Sequence, residues 1–320
     1  MTQALNYTPK AIEALLSYDC PGMPMMAAGM RYLAAKLREA QVFVLQDGGQ
    51  LLDRSKPRPE VAASVFRPPF PVVALEYLAA ESEWGDSVYT QARSTRRIAL
   101  AWEYTDDFPP ELRPMLPPRL GEGVVVASIC WFDDRASWIP VTIAAHIAYD
   151  TVWSRPPDNH FREEMLRSGR LPKAHVDARQ PETTPLLLAP EQFAMMAPLV
   201  GGFDALLVAA GGDVMDEANA YLDLCYALAC KNVATREVPP PKNLNRQRLK
   251  AGKLPLKGFH VLELNGGGDM PGTGGGAGDR SGPRSHLRRG HIRRLSGDRV
   301  TWVNSTVVRG RGFVDKVYAA

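Results

Sequence analysis

Residues 265–283 hold nine glycines between Gly266 and Gly282, with Met270 and Ala277 the only apolar side chains besides proline. Such a stretch has high backbone entropy and little to bury, so it cannot join a packed core. It predicts a flexible linker that spans about 23 Å r.m.s. as a random coil. The chain is thereby divided into a globular body over 1–264, the linker over 265–283, and a C-terminal element over 284–320. The hexapeptide GTGGGA at 272–277 formally fits the G-x-G-x-x-A dinucleotide pattern. No helix pattern follows it to present an N-terminus to a pyrophosphate, so it reads as low-complexity linker, and no cofactor is expected.

The charge divides the chain somewhat upstream of the linker. Residues 1–240 carry 22 Lys+Arg against 30 Asp+Glu, and residues 241–320 carry 16 against 5. The overall +3 is therefore the sum of an acidic part at −8 over 1–240 and a basic tail at +11 from 241 onward. Basic tails meet nucleic acid or another polyanion. Arginine outnumbers lysine 28 to 10, which suits bidentate phosphate contacts, although GC-rich coding produces the same bias.

With 45% hydrophobic and 23% charged residues over 320 positions, the body has enough apolar surface for a sizeable core. The first ten residues show neither the basic n-region nor the apolar h-region of a signal peptide. The longest nearly apolar run, 200–210, is too short to span a bilayer and contains Asp204. A cytoplasmic protein with no membrane contact is expected. Cys20, Cys130, Cys225 and Cys230 lack the paired spacing of a zinc site, so they read as reduced, mostly buried thiols and no metal is expected.

Periodicity gives an α+β body. Thr8-Pro9 reads as a hydroxyl N-cap followed by proline in the first turn, with Ile12, Leu15 and Leu16 on one face and Pro21-Gly22 as the stop. A second helix is predicted from Pro24 to about Ala40 on Met26, Met30, Leu33 and Leu37. Its methionines read first as core filler and second as an adaptable peptide-binding face. From 42 to 147 the pattern changes to strands of a mainly antiparallel sheet, including runs at 72–77, 97–102, 124–132 and 138–143. The last two form a hairpin across the turn at 133–137, with Pro140 confined to an edge or a bulge. Five of the six tryptophans lie between Trp84 and Trp153, where sheet packing is the default and a recognition surface the alternative. Residues 154–190 read as surface loop with one short helix near 161–167. A further helix is predicted from an Asp213 cap to about Lys231, stopped by the prolines at 239–241, and 259–264 reads as a strand.

The tail carries the informative motif. HLRRGH occupies 286–291, six arginines lie between Arg284 and Arg299, residues 296–299 form a turn, and 300–308 read as a strand. Gly290 argues against a continuous helix. Read as a strand, the segment is basic on both faces, so at least one face meets solvent or phosphate. The expected nucleic-acid contacts are Arg284, His286, Arg288, Arg289, His291, Arg293, Arg294, Arg299 and Trp302, joined by Arg246, Arg248 and Lys250 of the basic run at 243–253. With Trp302 the one ring nearby, contact is expected with backbone phosphates more than with bases. Six phosphates neutralised on a single strand give a log K against log salt slope of about −4. A solvated basic surface is the plain alternative.

The run HLRRGH at 286–291, then VTW at 300–302 and a β-branched stretch, resembles the ending of phage and prophage proteins of about this length. These include the type V-A anti-CRISPR family that blocks production of the type V-A CRISPR effector nuclease. NLNRQRLKAGK at 243–253, with LPL at 254–256 and Phe259-His260, is similar to the same group. The resemblance implies an inhibitor acting during translation in a bacterial host cell. Its body would recognise the nascent N-terminal peptide of the effector, and its tail would lie near RNA or the ribosome while the encoding mRNA is lost. It implies neither the peptide-binding residues nor an oligomeric state.

Two rivals follow from the residues alone. His286 and His291 among arginines could serve as base and acid in metal-independent RNA cleavage, as in a toxin-like ribonuclease. A phage regulatory protein that binds nucleic acid through its tail is the other. The pairs Asp106-Asp107 and Asp133-Asp134 could be read as nuclease metal ligands, but turn chemistry at strand ends already explains them.

Overall fold

An eight-stranded sheet runs through the body in the order β8-β5-β4-β3-β2-β1-β10-β9. Its strands are β1 (Gln41–Val44), β2 (Val72–Leu78), β3 (Ser94–Glu103), β4 (Gly123–Phe132), β5 (Ser137–Ala148), β8 (Thr184–Leu187), β9 (Val233–Val238) and β10 (Phe259–Leu264). Strand β1 pairs parallel with β2 and with β10, and every other neighbour in this sheet is antiparallel. The computed structural model describes residues 5–79, 93–105, 107–118, 120–167, 171, 173–264, 286–288, 291–294, 300–303 and 306–308. The linker expected at 265–283 and the turn at 296–299 lie outside the described residues, as do Trp84, Asp106, Arg284, Arg289 and Arg299.

Both faces of the sheet are covered, as the long apolar strands require. Val72 and Ala74 of β2, Leu100 and Trp102 of β3, and Val125 of β4 pack on α1 (Thr8–Ser17) and α2 (Pro24–Glu39). Their neighbours Val73, Leu75, Ala99, Ala101 and Val126 pack on the C-terminal half of α5 (Phe203–Leu228). The fold is α+β, with helices at the N-terminus and before the tail around a mainly antiparallel sheet. Met26 and Met30 are buried in the first of these cores, where they act as filler, and Trp102 and Trp138 are buried beside them.

The helix ends are finished by distant side chains. The Thr8 hydroxyl does not cap its own helix: Tyr7 N, Thr8 N and Thr8 Oγ1 all donate to the carboxylate of Glu76 on β2, at 2.7–2.8 Å. The opening of α2 is held by Glu191 of α4 (Pro190–Met196), which accepts from Met25 N at 2.7 Å and Met26 N at 2.9 Å. At the other end of α2, Lys257 Nζ donates to Leu37 O, Arg38 O and Ala40 O at 2.7–2.9 Å. These contacts satisfy backbone groups that every helix leaves open at its ends. Gly29 lets α2 approach closely, because a Cβ there would lie 2.1 Å from Leu188 O.

One local feature meets the sequence expectation and two depart from it, each for a physical cause. Pro140 sits beside a bulge: Ala127 pairs with Ala144 but Ile129 pairs with Pro140, so β5 carries extra residues there. The carbonyl of Thr142 within that bulge accepts from Leu188 N at 2.8 Å, which ties in the stretch after β8. Strand β8 itself lay within the expected loop at 154–190, because Pro185 interrupts a strand pattern and is tolerated only at a sheet edge. Helix α5 begins at Phe203 and not at an Asp213 cap. Its first turns contain Gly211-Gly212 and look weak by propensity, but Leu206, Ala210 and Val214 pack against Ile143 and Phe193.

Replacing Glu76 by alanine leaves Tyr7 N and Thr8 N buried without an acceptor. Urea denaturation should show a loss of about 2–4 kcal/mol, with the midpoint lowered and the slope unchanged.

Candidate functional site

The outer face of α5 and the segment after β5 enclose a cleft. Asp223 of α5, fully buried, accepts from Arg54 Nε at 3.2 Å and from Arg58 Nε and Nη2 at 3.0 and 2.5 Å. Arg58 also donates to Asn219 Oδ1 at 2.8 Å and to Asn219 O at 3.1 Å. The hydroxyls of Tyr221 and Tyr226 donate to Phe66 O and Pro59 O, both at 2.6 Å. Residues 52–66 are thus pinned to α5. Opposite them stand the two-residue strands β6 (Trp153–Ser154) and β7 (Gln180–Pro181), paired antiparallel, and α3 (His160–Arg167).

Phe66, Trp153, Leu222 and Tyr226 form the apolar side of this cleft, and Arg58, Arg162, Arg179 and His175 its polar side. None of its described lining residues is Asp or Glu. The cavity is narrow, at about 60 Å³, against roughly 300–1,000 Å³ for pockets that engulf a drug-sized ligand. Arg162 Nη2 donates to His175 O and Val176 O at 3.1 and 2.6 Å. Arg179 donates to Trp153 O and reaches Glu60 Oε1 at 3.0 Å, with half its side chain exposed. His175 Nε2–H donates to Arg54 O at 2.9 Å. Burial lowers the His175 pKa, and the neighbouring charges of Arg58 and Arg162 lower it further, against the opposing effect of the Arg54 carbonyl. A more open cavity of about 340 Å³ lies beside His146, Asp150 and Thr184. There the His146 Nε2 is buried against Gly123, where a Cβ would come within 2.4 Å.

On the sheet side of α5 lies a sealed charge cluster. Glu217, fully buried, accepts from Ser128 Oγ at 2.5 Å, Tyr77 OH at 2.9 Å and Arg97 Nη1 at 3.3 Å. Arg97 Nη1 also lies 3.3 Å from Cys130 Sγ. Asp213, one turn before Glu217, has its pKa pushed up to about 7 by burial; Arg97 opposes the shift and Glu217 and Asp216 add to it. With Tyr77, Ser128 and Glu217 all buried, the cluster fastens α5 to β2, β3 and β4. The aspartates read from the sequence as turn residues hold the chain together in the same way: Asp107 accepts from Lys36 at 2.6 Å and Asp133 from Thr95 at 2.9 Å.

The tail residues fall on short strands. His286 and Arg288 lie on β11 (His286–Arg288), His291, Arg293 and Arg294 on β12 (His291–Arg294), and Trp302 on β13 (Val300–Val303). β11 pairs antiparallel with β14 (Thr306–Val308), and β12 with β13. The pairs His286–Val308, His291–Val303 and Arg294–Val300 share one antiparallel register. A side chain of the body bonds to β13. Asn232, in the turn after α5, accepts at Oδ1 from Trp302 N at 2.8 Å and Thr301 Oγ1 at 3.2 Å, and donates from Nδ2 to Trp302 O at 2.9 Å. The Trp302 ring packs, half-buried, on the α5-side core, which makes it an anchor to the body more than an open stacking platform.

Arg246, Arg248 and Lys250 lie on α6 (Lys242–Lys250), a helix with no buried residue. Arg246 and Lys250 are exposed, and Arg248 donates to Leu254 O at 2.8 Å. Sequence reasoning missed the cleft and Asn232. The cleft arginines are scattered over 120 residues inside segments read as loops, and nothing local marks an asparagine as a dock.

No family model matches this sequence, and no curated protein matches it. The crystal structure of AcrVA2 is similar over 95% of this chain and 85% of its own, at 12% identity and a TM-score of 0.37. That likeness is too slight to carry activity from one chain to the other.

The Asp213 carboxyl binds its proton more tightly folded than unfolded, so its contribution to stability is complete below about pH 4 and is lost as pH rises through about 7. Chemical denaturation across pH 4–7 should show stability falling, with Asp213→Asn removing up to about 3 kcal/mol of that slope. An unchanged slope would assign the loss to other groups.

Proposed function

We propose that the chain is an anti-CRISPR-like inhibitor encoded by a phage or mobile element. Its body binds a protein or the nascent N-terminal peptide of the type V-A CRISPR effector, and its basic tail contacts RNA or the ribosome, so that effector mRNA and protein fall. The observation that carries this reading is the pairing of two unlike surfaces in one molecule. Strand β13, which pairs with β12 of the tail, bonds to Asn232 of the body, and the body separately offers a narrow, part-apolar cleft. The sequence resemblance over 243–308 supports the choice of biology, and the charge split between body and tail supports the division of labour.

Phosphate contacts from Arg288, Arg293, Arg294, Arg246 and Lys250 would set affinity with little sequence preference. Bonding β13 to Asn232 ties the tail to the body, which raises the effective concentration of one ligand when the other is bound.

In cells expressing a type V-A effector, the intact chain should lower effector protein and mRNA, and a chain ending at Leu264 should not. Unchanged levels with the intact chain would refute the proposal. RNA cleavage by the purified protein without ribosomes, lost in His291→Ala, would favour a ribonuclease instead. Purified protein should also bind single-stranded RNA with a log K against log salt slope of about −4, reduced by roughly 0.7 for each tail arginine replaced by alanine.

A further inference from the structure

We infer that the cleft between α5 and residues 153–181 is a receptor for an acidic, extended segment of a partner protein. It would take one apolar or aromatic side chain against Phe66, Trp153 and Leu222 and a neighbouring carboxylate at Arg179. The assignment deepens the reading of the body as a peptide binder and rests on it, but it is testable apart from any effector.

Charge complementarity selects the occupant. Residues 1–240 are acidic in sum, at −8, yet this cleft is lined by Arg58, Arg162, Arg179 and His175 with no carboxylate among its described lining residues. Most of these donors are already committed. Arg58 is spent on Asp223 and Asn219, and Arg162 gives its Nη2 to two backbone carbonyls while its buried Nε lies 3.7 Å from Asp158. Arg179 is the one whose side chain is half exposed, and its carboxylate partner Glu60 stands at the rim, also about half exposed. An incoming carboxylate can replace Glu60 there at small cost, because an exposed ion pair contributes little. One replaceable carboxylate site beside an apolar wall matches a peptide with an acidic residue next to a hydrophobic one.

Size points the same way. A cavity of about 60 Å³ admits part of one side chain and leaves the rest of the ligand outside, which is how an extended peptide anchors. A nucleic-acid backbone would need several open donors in a row, while the open basic side chains of α6 lie elsewhere. His175 supplies an internal reporter. Its pKa is lowered in the free protein by burial and by Arg58 and Arg162, and a carboxylate entering the cleft offsets those two cations.

The test uses the purified full chain and three fluorescein-labelled probes: the peptide Glu-Asp-Phe-Glu-Asp, its counterpart Lys-Arg-Phe-Lys-Arg, and an eight-nucleotide oligouridylate. Fluorescence polarisation should show saturable binding of the acidic peptide, at least tenfold tighter than the basic one. Arg179→Glu, a rim substitution, should weaken it at least tenfold, and Met215→Trp, which fills the cleft without changing its charge, should abolish it. Both variants should bind oligouridylate as the unaltered chain does. In NMR titrations the His175 ring should titrate at higher pH with the acidic peptide bound. The inference is overturned if the two peptides bind alike or not at all, or if Arg179→Glu binds like the unaltered chain. It is also overturned if oligouridylate competes for the cleft and is lost in the same variants. Should Met215→Trp fail to fold, Arg179→Glu decides alone. Absence of peptide binding alongside a fall of effector in cells would sink the cleft assignment only; the reverse pattern would sink the effector reading and leave the cleft.

Discussion

Three carboxylates that never reach water, Glu76, Glu217 and Asp223, fasten the layers of this protein to one another. A sheet covered on both faces leaves polar groups stranded in apolar surroundings, and each stranded group must find a partner inside. Glu76 gathers the first donors of α1 from the middle of the sheet. Glu217 bonds three strands to α5. Asp223 draws two arginines of the 52–66 segment onto the other side of the same helix. Breaking any of the three leaves a buried charge or buried donors uncompensated, which costs far more than an exposed pair.

The cleft is a consequence of that fastening. Because Asp223 and Asn219 consume Arg58, and the carbonyls of His175 and Val176 consume Arg162, the cationic wall is rigid and mostly satisfied. Among the described cations of the cleft, Arg179 at the rim is the one half exposed to solvent. A wall built this way recognises a single carboxylate in a defined place and is poorly suited to a polyanion. The tail is joined to the body differently, through the amide of Asn232 bonded to the backbone of Trp302 on β13.

Much of the body was legible in the chain. The apolar spacing of Met26, Met30, Leu33 and Leu37 marked α2 to within a residue of its end, and the run at 259–264 marked β10. Pro140 marked its bulge, because a missing N–H is a local fact that no packing can reverse. The expectation of an Asp213 cap failed for the converse reason. Capping preference is weak, and packing on Ile143 and Phe193 extended the helix ten residues upstream. Strands β8 and β9 were passed over because edge strands have no need of a continuous apolar run.

The chain by itself determined the α+β class, the identities of its main helices and strands, and the separation of a basic tail from an acidic body, since periodicity and charge count are local properties. Only the tertiary structure decided which carboxylates are buried bolts, that Lys257 closes α2, and that Arg58, Arg162, His175 and Arg179 meet in one cleft. Those outcomes depend on distances between residues far apart in the chain, set by how the layers pack, and no spacing along the sequence encodes them.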